Sequence, residues 1–297
     1  MKAKIRFIIK NNKMSASLLI GRPSEDYVVT LEEIEKAMAE EGIVYGILKD
    51  KLEAAVETQS FLSEIPCAEG LEPIPGKSGE IKFVVNTDTE LKPRIRDDGT
   101  ADYHDLGLIT EVDEGRLLCR RTRPIPGVDG CNIYGEVIPF KKGEYPDFPA
   151  GEGTKISPID DTKLVASRNG YIKFDLNKIN VFDVFKLRGD VDNGTGNIVF
   201  RGDIIINGCV REGFLVKSNG NITINGAAEG ATIEALGNIK IRDGYTGMET
   251  GQITAAGNIE SKYIQNAIVK CGGDLTTTYM LNSFVSVGGE TKVDSGK

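Results

Sequence analysis

The side chains able to do chemistry are few and scattered. The single histidine, His104, lies among Asp102, Tyr103 and Asp105. One histidine cannot supply a multi-histidine metal site, and its polar neighbours read as a solvated turn, so a structural or surface role is expected. The stretch from Gly70 to Ser78 ends in Gly76-Lys77-Ser78 and superficially matches a phosphate-binding loop. Its spacing is one residue too long, and Pro73 and Pro75 remove amides that such a loop uses to hold phosphate. Gly194-x-Gly196 and Gly151-x-Gly153 are weaker matches still. The five cysteines, Cys67, Cys119, Cys131, Cys209 and Cys271, are odd in number and form no C-x-x-C pair. Buried free thiols are expected, not a disulfide framework or a zinc site. The acidic pairs Asp97-Asp98 and Asp160-Asp161 stand at turns, where Asp serves the backbone. No nucleophile and base emerge from spacing, so the expectation is no catalytic, cofactor-binding or metal residue and no cofactor.

The elements that would position any site fall into two halves. Of 297 residues, 36 are basic and 44 acidic, giving a net charge of −8, and 40% are hydrophobic. All 11 prolines lie between Pro23 and Pro158, whereas 19 of the 35 glycines fall from Val181 onward. The halves carry −6 and −2, so neither has the basic footprint of a nucleic-acid or anionic-membrane binder. The longest apolar runs, such as Phe7 to Ile9 and Ile204 to Ile206, are far short of the roughly 20 residues that span a bilayer. Polar residues follow the basic amino terminus where a signal peptide needs an apolar stretch, which implies a cytoplasmic protein.

The spacing predicts a strand over Lys4 to Ile9 and a helix opened by a Thr30/Glu33 capping box and stopped at Gly42. A second helix is expected from about Lys51 to Gln59, with Asp50 and Glu53 as its box, making a helical hairpin packed on a sheet. From Phe61 to about Asn180 the pattern is β-rich. Ile81 to Val85, Leu117 to Arg121, Ile133 to Ile138, Leu164 to Ser167 and Tyr171 to Phe174 read as strands, with turns at Pro126-Gly127 and Asp129-Gly130.

The last region repeats. Gly202-Asp203-Ile204, Gly220-Asn221-Ile222, Gly237-Asn238-Ile239, Gly257-Asn258-Ile259 and Gly273-Asp274-Leu275 follow at intervals of 18, 17, 20 and 16 residues. Four residues before each next glycine stands another aliphatic: Val216, Ile233, Ile253, Val269 and Val285. Two strands per period, separated by a corner, bury these aliphatics only by coiling, each copy stacked about 4.8 Å from the last. Two interior ladders are predicted, Ile204-Ile222-Ile239-Ile259-Leu275 and Val216-Ile233-Ile253-Val269-Val285. Glycine at the corners is expected to supply positive φ, with the adjacent Asn or Asp bonding to local backbone. Glycines six apart, such as Gly196, Gly202 and Gly208, are similar to the hexapeptide repeat of acyltransferase helices, but coils of 17, 20 and 16 residues break that register.

These residues carry a family resemblance. The run Gly189-Asp190-Val191-Asp192-Asn193-Gly194-Thr195-Gly196-Asn197-Ile198-Val199-Phe200-Arg201-Gly202 closely resembles the junction motif of the flagellar assembly protein A family. Glu229-Gly230-Ala231-Thr232-Ile233-Glu234-Ala235 and Tyr263-Ile264-Gln265-Asn266-Ala267 do so as well. Upstream, Gly42-Ile43-Val44-Tyr45-Gly46-Ile47, Asp98-Gly99-Thr100-Ala101-Asp102-Tyr103 and Pro126-Gly127-Val128-Asp129-Gly130 resemble its amino-terminal domain. The resemblance implies a mostly β chain: an amino-terminal α+β domain over residues 1–180, then a right-handed single-stranded parallel β-helix, a β-solenoid, over 181–297. It implies a cytoplasmic bacterial protein linked to flagellar assembly or positioning, in some members with a regulatory partner from the sugar phosphotransferase system, and it brings no catalytic residues. Members usually continue with further coils, so a truncated solenoid is expected here.

Three functions follow as expectations. The first is a non-enzymatic scaffold or adaptor that displays a β-helix surface to protein partners, flagellar positioning or regulatory proteins among them. The second is a bactofilin-like self-assembling cytoskeletal polymer, in which the chain is a homo-oligomer. The third is a β-helix enzyme, which requires Asp203, Glu234, Glu260 and Asp274 to line one cleft.

Overall fold

Alternating apolar residues at the amino terminus give β1 (Ile5–Lys10) and β2 (Ser15–Ile20), paired antiparallel from Ile5 against Ile20 to Lys10 against Ser15. The computed structural model describes residues 4–10, 12–22, 27–86, 94–95, 101–102, 106–248 and 250–296. His104, Tyr103, Asp105, Asp97, Asp98 and the Gly99-Thr100 part of the upstream motif lie outside the described residues. The chain divides into two compact units, residues 1–81 with 121–147, and residues 82–120 with 148–297.

In the first unit, β3 (Glu64–Glu69) completes a three-stranded sheet ordered β1-β2-β3. Helices α1 (Leu31–Glu41) and α2 (Lys49–Glu57) seal its core, where Leu18, Ile20, Ile34, Met38 and Leu52 are buried with Ile65. Gly42 ends α1 in the left-handed conformation at φ 86°, and its amide donates to Ala39 O, as its position predicts. The capping boxes do not form. Thr30 is the N-cap of α1 without a side-chain cap bond, and Glu33 instead accepts a hydrogen bond from the Tyr27 hydroxyl. Helix α2 starts two residues earlier than expected, with Leu48 as its N-cap.

The proline-rich segments of this unit are extended where turns were expected. Leu71 bridges Cys131, Ile74 bridges Val128 and Lys77 bridges Ile125, a contact every third residue. A three-residue repeat is that of polyproline-like chains, not of β-strands, whose repeat is two. The chains lie so close that a Cβ on Gly127 would sit 2.1 Å from Ile74 O, and one on Gly130 2.3 Å from Leu71 O. Pro126-Gly127 and Asp129-Gly130 therefore serve close approach, not reversal. The expected strand Ile133 to Ile138 is interrupted: Asn132 Oδ1 accepts the amides of Tyr134 and Glu136, making a turn between Gly130–Cys131 and Val137–Ile138.

In the second unit, apart from the boundary residues Ile81 and Arg121, the remaining predicted strands appear as β4 (Ile81–Phe83), Leu117–Arg121, Lys163–Ala166 and Gly170–Asp175. The last pairs with Lys178–Phe182 as an antiparallel hairpin, which leads into a β-solenoid of about six turns. Both predicted ladders form. Ile204, Ile222, Ile239, Ile259 and Leu275 are in register and buried on one wall. Val216, Ile233, Ile253 and Val269 are likewise stacked and buried on another, with Val285 next in register.

Each coil has three walls, not two. Val191, Val210, Ala228, Tyr245, Ile264 and Met280 form the additional ladder. Its strands are as short as Ala227–Glu229 and Gly244–Thr246, and its inward residues range from alanine to tyrosine, so no period marks it in the sequence. The buried Tyr245 hydroxyl donates to Ala231 O at 2.6 Å, which pays for its desolvation.

The glycine-Asx repeat works between coils rather than within one. Oδ1 of Asp203, Asn221, Asn238, Asn258 and Asp274 accepts, in each case, the backbone N–H one coil further on, at 2.8–2.9 Å. The glycine preceding that N–H leaves room for the oxygen. A Cβ on Gly220, Gly237, Gly257, Gly273 or Gly289 would lie 2.1–2.6 Å from the Oδ1 of the coil before. None of these glycines has positive φ. The expected left-handed corner is thus corrected: glycine is needed there for close approach, and the Asx side chain bonds to the next coil.

A linked pair of substitutions follows. Asn238→Ala should cost about 1–2 kcal/mol by orphaning the Asn258 amide. Gly257→Ala, whose Cβ would meet Asn238 Oδ1 at 2.4 Å, should cost less in the Asn238→Ala background than alone. Urea unfolding of the four chains measures the coupling, and simple additivity would refute it.

Candidate functional site

The coil interior is filled, so what the solenoid offers a ligand lies on its outside. One corner stands apart. Where the additional wall turns into the Val216 wall, each coil carries a residue in the left-handed region: Gly196, Gly213, Gly230, Met248, Asn266 and Asn282. Glycine and asparagine suit that conformation, and methionine rarely adopts it. The corner borders a groove of about 740 Å³ lined by Glu212, Thr246, Met248, Asn266, Ile268 and Phe284 among others.

Three apolar side chains face outward there. Phe284 is 82% exposed, Met248 46% and Ile268 43%. Strand register places Ile268 and Phe284 in the same outward column as Leu215, Thr232 and Gln252, so the column runs from a half-buried leucine through two polar residues to two exposed apolar ones at its far end. Neither residue was singled out from the sequence. A signal existed, because Ile268-Val269 and Phe284-Val285 place two apolar residues side by side where alternation calls for one.

The acidic quartet is not one cleft. Glu234 lies on the Val216 wall and pairs with Lys217 at 2.8 Å, whereas Glu260 lies on the Ile204 wall and pairs with Lys240 at 2.7 Å. Asp203 and Asp274 share a column, but Asn221, Asn238 and Asn258 stand between them, and each aspartate holds a backbone amide. These exposed pairs contribute roughly 0–1 kcal/mol each and knit neighbouring coils.

The remaining candidates have structural partners. In the stretch from Gly70 to Ser78 the amides of Leu71, Ile74, Gly76 and Lys77 donate to Cys131, Val128, Lys141 and Ile125 carbonyls, so the groups a phosphate would need are committed. Gly194 and Gly196 close a turn on Asp192, whose Oδ1 accepts the Gly194 amide. At Gly151 and Gly153 the backbone runs against residues 179–181. Asp160 accepts from Lys163 and Thr162, which hold its carboxyl well below the usual range. All five cysteines are free, but only Cys67, Cys119 and Cys271 are buried as expected, while Cys131 and Cys209 are partly exposed. Burial pushes the Cys67 and Cys119 thiols up to about 11, away from the reactive thiolate form. Among the described residues no group of three or more His, Cys, Asp or Glu side chains is placed to hold a metal ion. No helix among them is long and apolar enough to cross a membrane.

Two family models match the chain, the Flagellar Assembly Protein A N-terminal region over residues 5–177 and the Flagellar Assembly Protein A beta solenoid domain over residues 183–297. No curated protein and no solved structure matches it.

Proposed function

Since this chain belongs to the flagellar assembly protein A family, we propose that it is a non-enzymatic cytoplasmic scaffold or adaptor in flagellar assembly or positioning. Residues 181–297 form its display element, and residues 1–180 a distinct functional part. The outward apolar patch that Met248, Ile268 and Phe284 form along the groove carries this reading. A side chain as exposed as Phe284 loses nothing by pairing with another protein, and a partner laid along the groove buries all three together. The partners are flagellar positioning or regulatory proteins.

The coil suits the role mechanically. Parallel ladders and the Asx hydrogen bonds tie each turn to the next, so side chains on successive coils keep a fixed spacing of about 4.8 Å. In a motile host, deletion of the gene should change flagellar number or placement. Restoring the chain as Ile268→Glu with Phe284→Glu should fail to rescue it while leaving the protein folded. Unchanged flagella on deletion would overturn the proposal. Concentration-dependent sedimentation to large species would instead favour the self-assembling polymer.

A further inference from the structure

We propose that the outer edge of β1 is a docking site for an extended acidic segment of a partner protein, added to the sheet as a fourth strand. The site lies in the first unit and stands independently of the solenoid groove.

Among the described residues, the sheet order β1-β2-β3 leaves β1 with a partner on one side only. The phase of its ladder follows from one bond: the Gly21 amide donates to Lys4 O at 2.9 Å. With antiparallel register running from Ile5 against Ile20, residues 4, 6, 8 and 10 exchange hydrogen bonds with β2. The N–H and C=O groups of Ile5, Phe7 and Ile9 therefore point the other way. Among the described residues nothing pairs with them. Three donors and three acceptors in a row are a template for another strand. Ile8 and Ile9 are each 37% exposed beside that edge and supply apolar contact, while Ile5 and Phe7 pack inward on the core.

Charge selects the occupant. Lys4, Arg6 and Lys10 share the face opposite the core, and β1 contains no acidic residue, in a chain of net charge −8. Lys10 is engaged by Glu64, whereas Lys4 and Arg6 have no ion-pair partner among the described residues. Two copies of β1 edge to edge would bring cations together, antiparallel or parallel, and like charges across a strand pair are destabilising. A segment alternating Asp or Glu with apolar residues instead sets carboxylates against Lys4 and Arg6 while its backbone completes the ladder.

The probe is a labelled peptide of about ten residues alternating glutamate with valine, compared with one alternating lysine with valine, by fluorescence anisotropy on the full chain. The glutamate peptide should bind at least about tenfold tighter, and added salt should weaken it. Bound peptide should slow hydrogen exchange at Ile5, Phe7 and Ile9 but not at Arg6 or Ile8. Lys4→Glu with Arg6→Glu should invert the preference toward the lysine peptide. Ile9→Pro removes one outward amide without removing an inner rung and should weaken both peptides. Equal affinity for the two peptides, no inversion in the double variant, or a dimer in sedimentation that the double variant abolishes would each overturn the proposal, the last by making a second copy the occupant.

Discussion

Replacing Ile239 with aspartate is expected to unfold the middle of the solenoid under conditions in which the native chain is folded. Ile239 is 1% exposed and stacks between Ile222 and Ile259, with the other walls of the same coil closing around it. The substitution forfeits roughly 1.5–3 kcal/mol of apolar burial. It also places a carboxyl among aliphatic side chains, where the charged form has no partner and the protonated form still lacks hydrogen bonds. The combined loss exceeds about 4–5 kcal/mol, a large share of the roughly 5–15 kcal/mol that holds a domain folded. Ile239→Val removes one methylene and should cost only about 0.5–1.5 kcal/mol. Because solenoid stability is a chain of neighbour contacts, protection against hydrogen exchange should fall first in Ile222–Ile224 and Ile259–Gln265. Melting curves for the two variants within about 2 °C of each other would contradict the packing described.

Tyr171→Ala should loosen the solenoid from its beginning. Tyr171, in the hairpin strand Gly170–Asp175, is 8% exposed and lies against Phe182, Phe185 and Phe200, with ring centroids 5.9, 5.2 and 5.6 Å away. It belongs to the same buried cluster as the coil interior, with Leu108 and Ile109 packed alongside. These residues cover the apolar end of the first turn, which has no preceding coil to stack on it. Arg201 fastens the same region, its guanidinium bonded to Glu111 at 2.6 Å and Asp113 at 2.7 Å. Losing the ring leaves a cavity beside Phe185 and Phe200 and should cost about 3–5 kcal/mol. Tyr171→Phe keeps the packing and should cost far less. Exchange protection should drop at Val184–Leu187 and Ile198–Phe200 before the later coils. A chain begun at residue 183 should show the same early fraying, and equal protection with and without the hairpin would refute the cap.

Legibility in the sequence followed the strength of the repeat. Interior isoleucines recurred often enough for their partners to be named in advance, Ile204 through Leu275 and Val216 through Val285, because stacked coils demand an apolar residue at each such point. The end of α1 was equally readable, since Gly42 alone at that position takes left-handed backbone without cost. The candidate groove was not. Its residues differ from coil to coil, and only register shows that Ile268 and Phe284 stand over Gln252 and Thr232. A glycine, moreover, looks the same in sequence whether it serves a turn or a close approach. At Gly127 and at Gly257 the deciding atom, Ile74 O or Asn238 Oδ1, belongs to a residue 53 or 19 positions away.

By itself, then, the sequence determined that apolar residues recur at coil spacing, that two ladders line the interior, that helices precede a β-rich region, and which family the motifs belong to. Those properties rest on local period and composition, which each stretch of chain carries within itself. The third wall, the inter-coil bonds of the Asx residues, the aromatic cover over the first turn and the edge of β1 that no described residue pairs were decided only in the tertiary structure. Each depends on which backbone atoms meet across distant positions, and that is settled when the chain closes on itself.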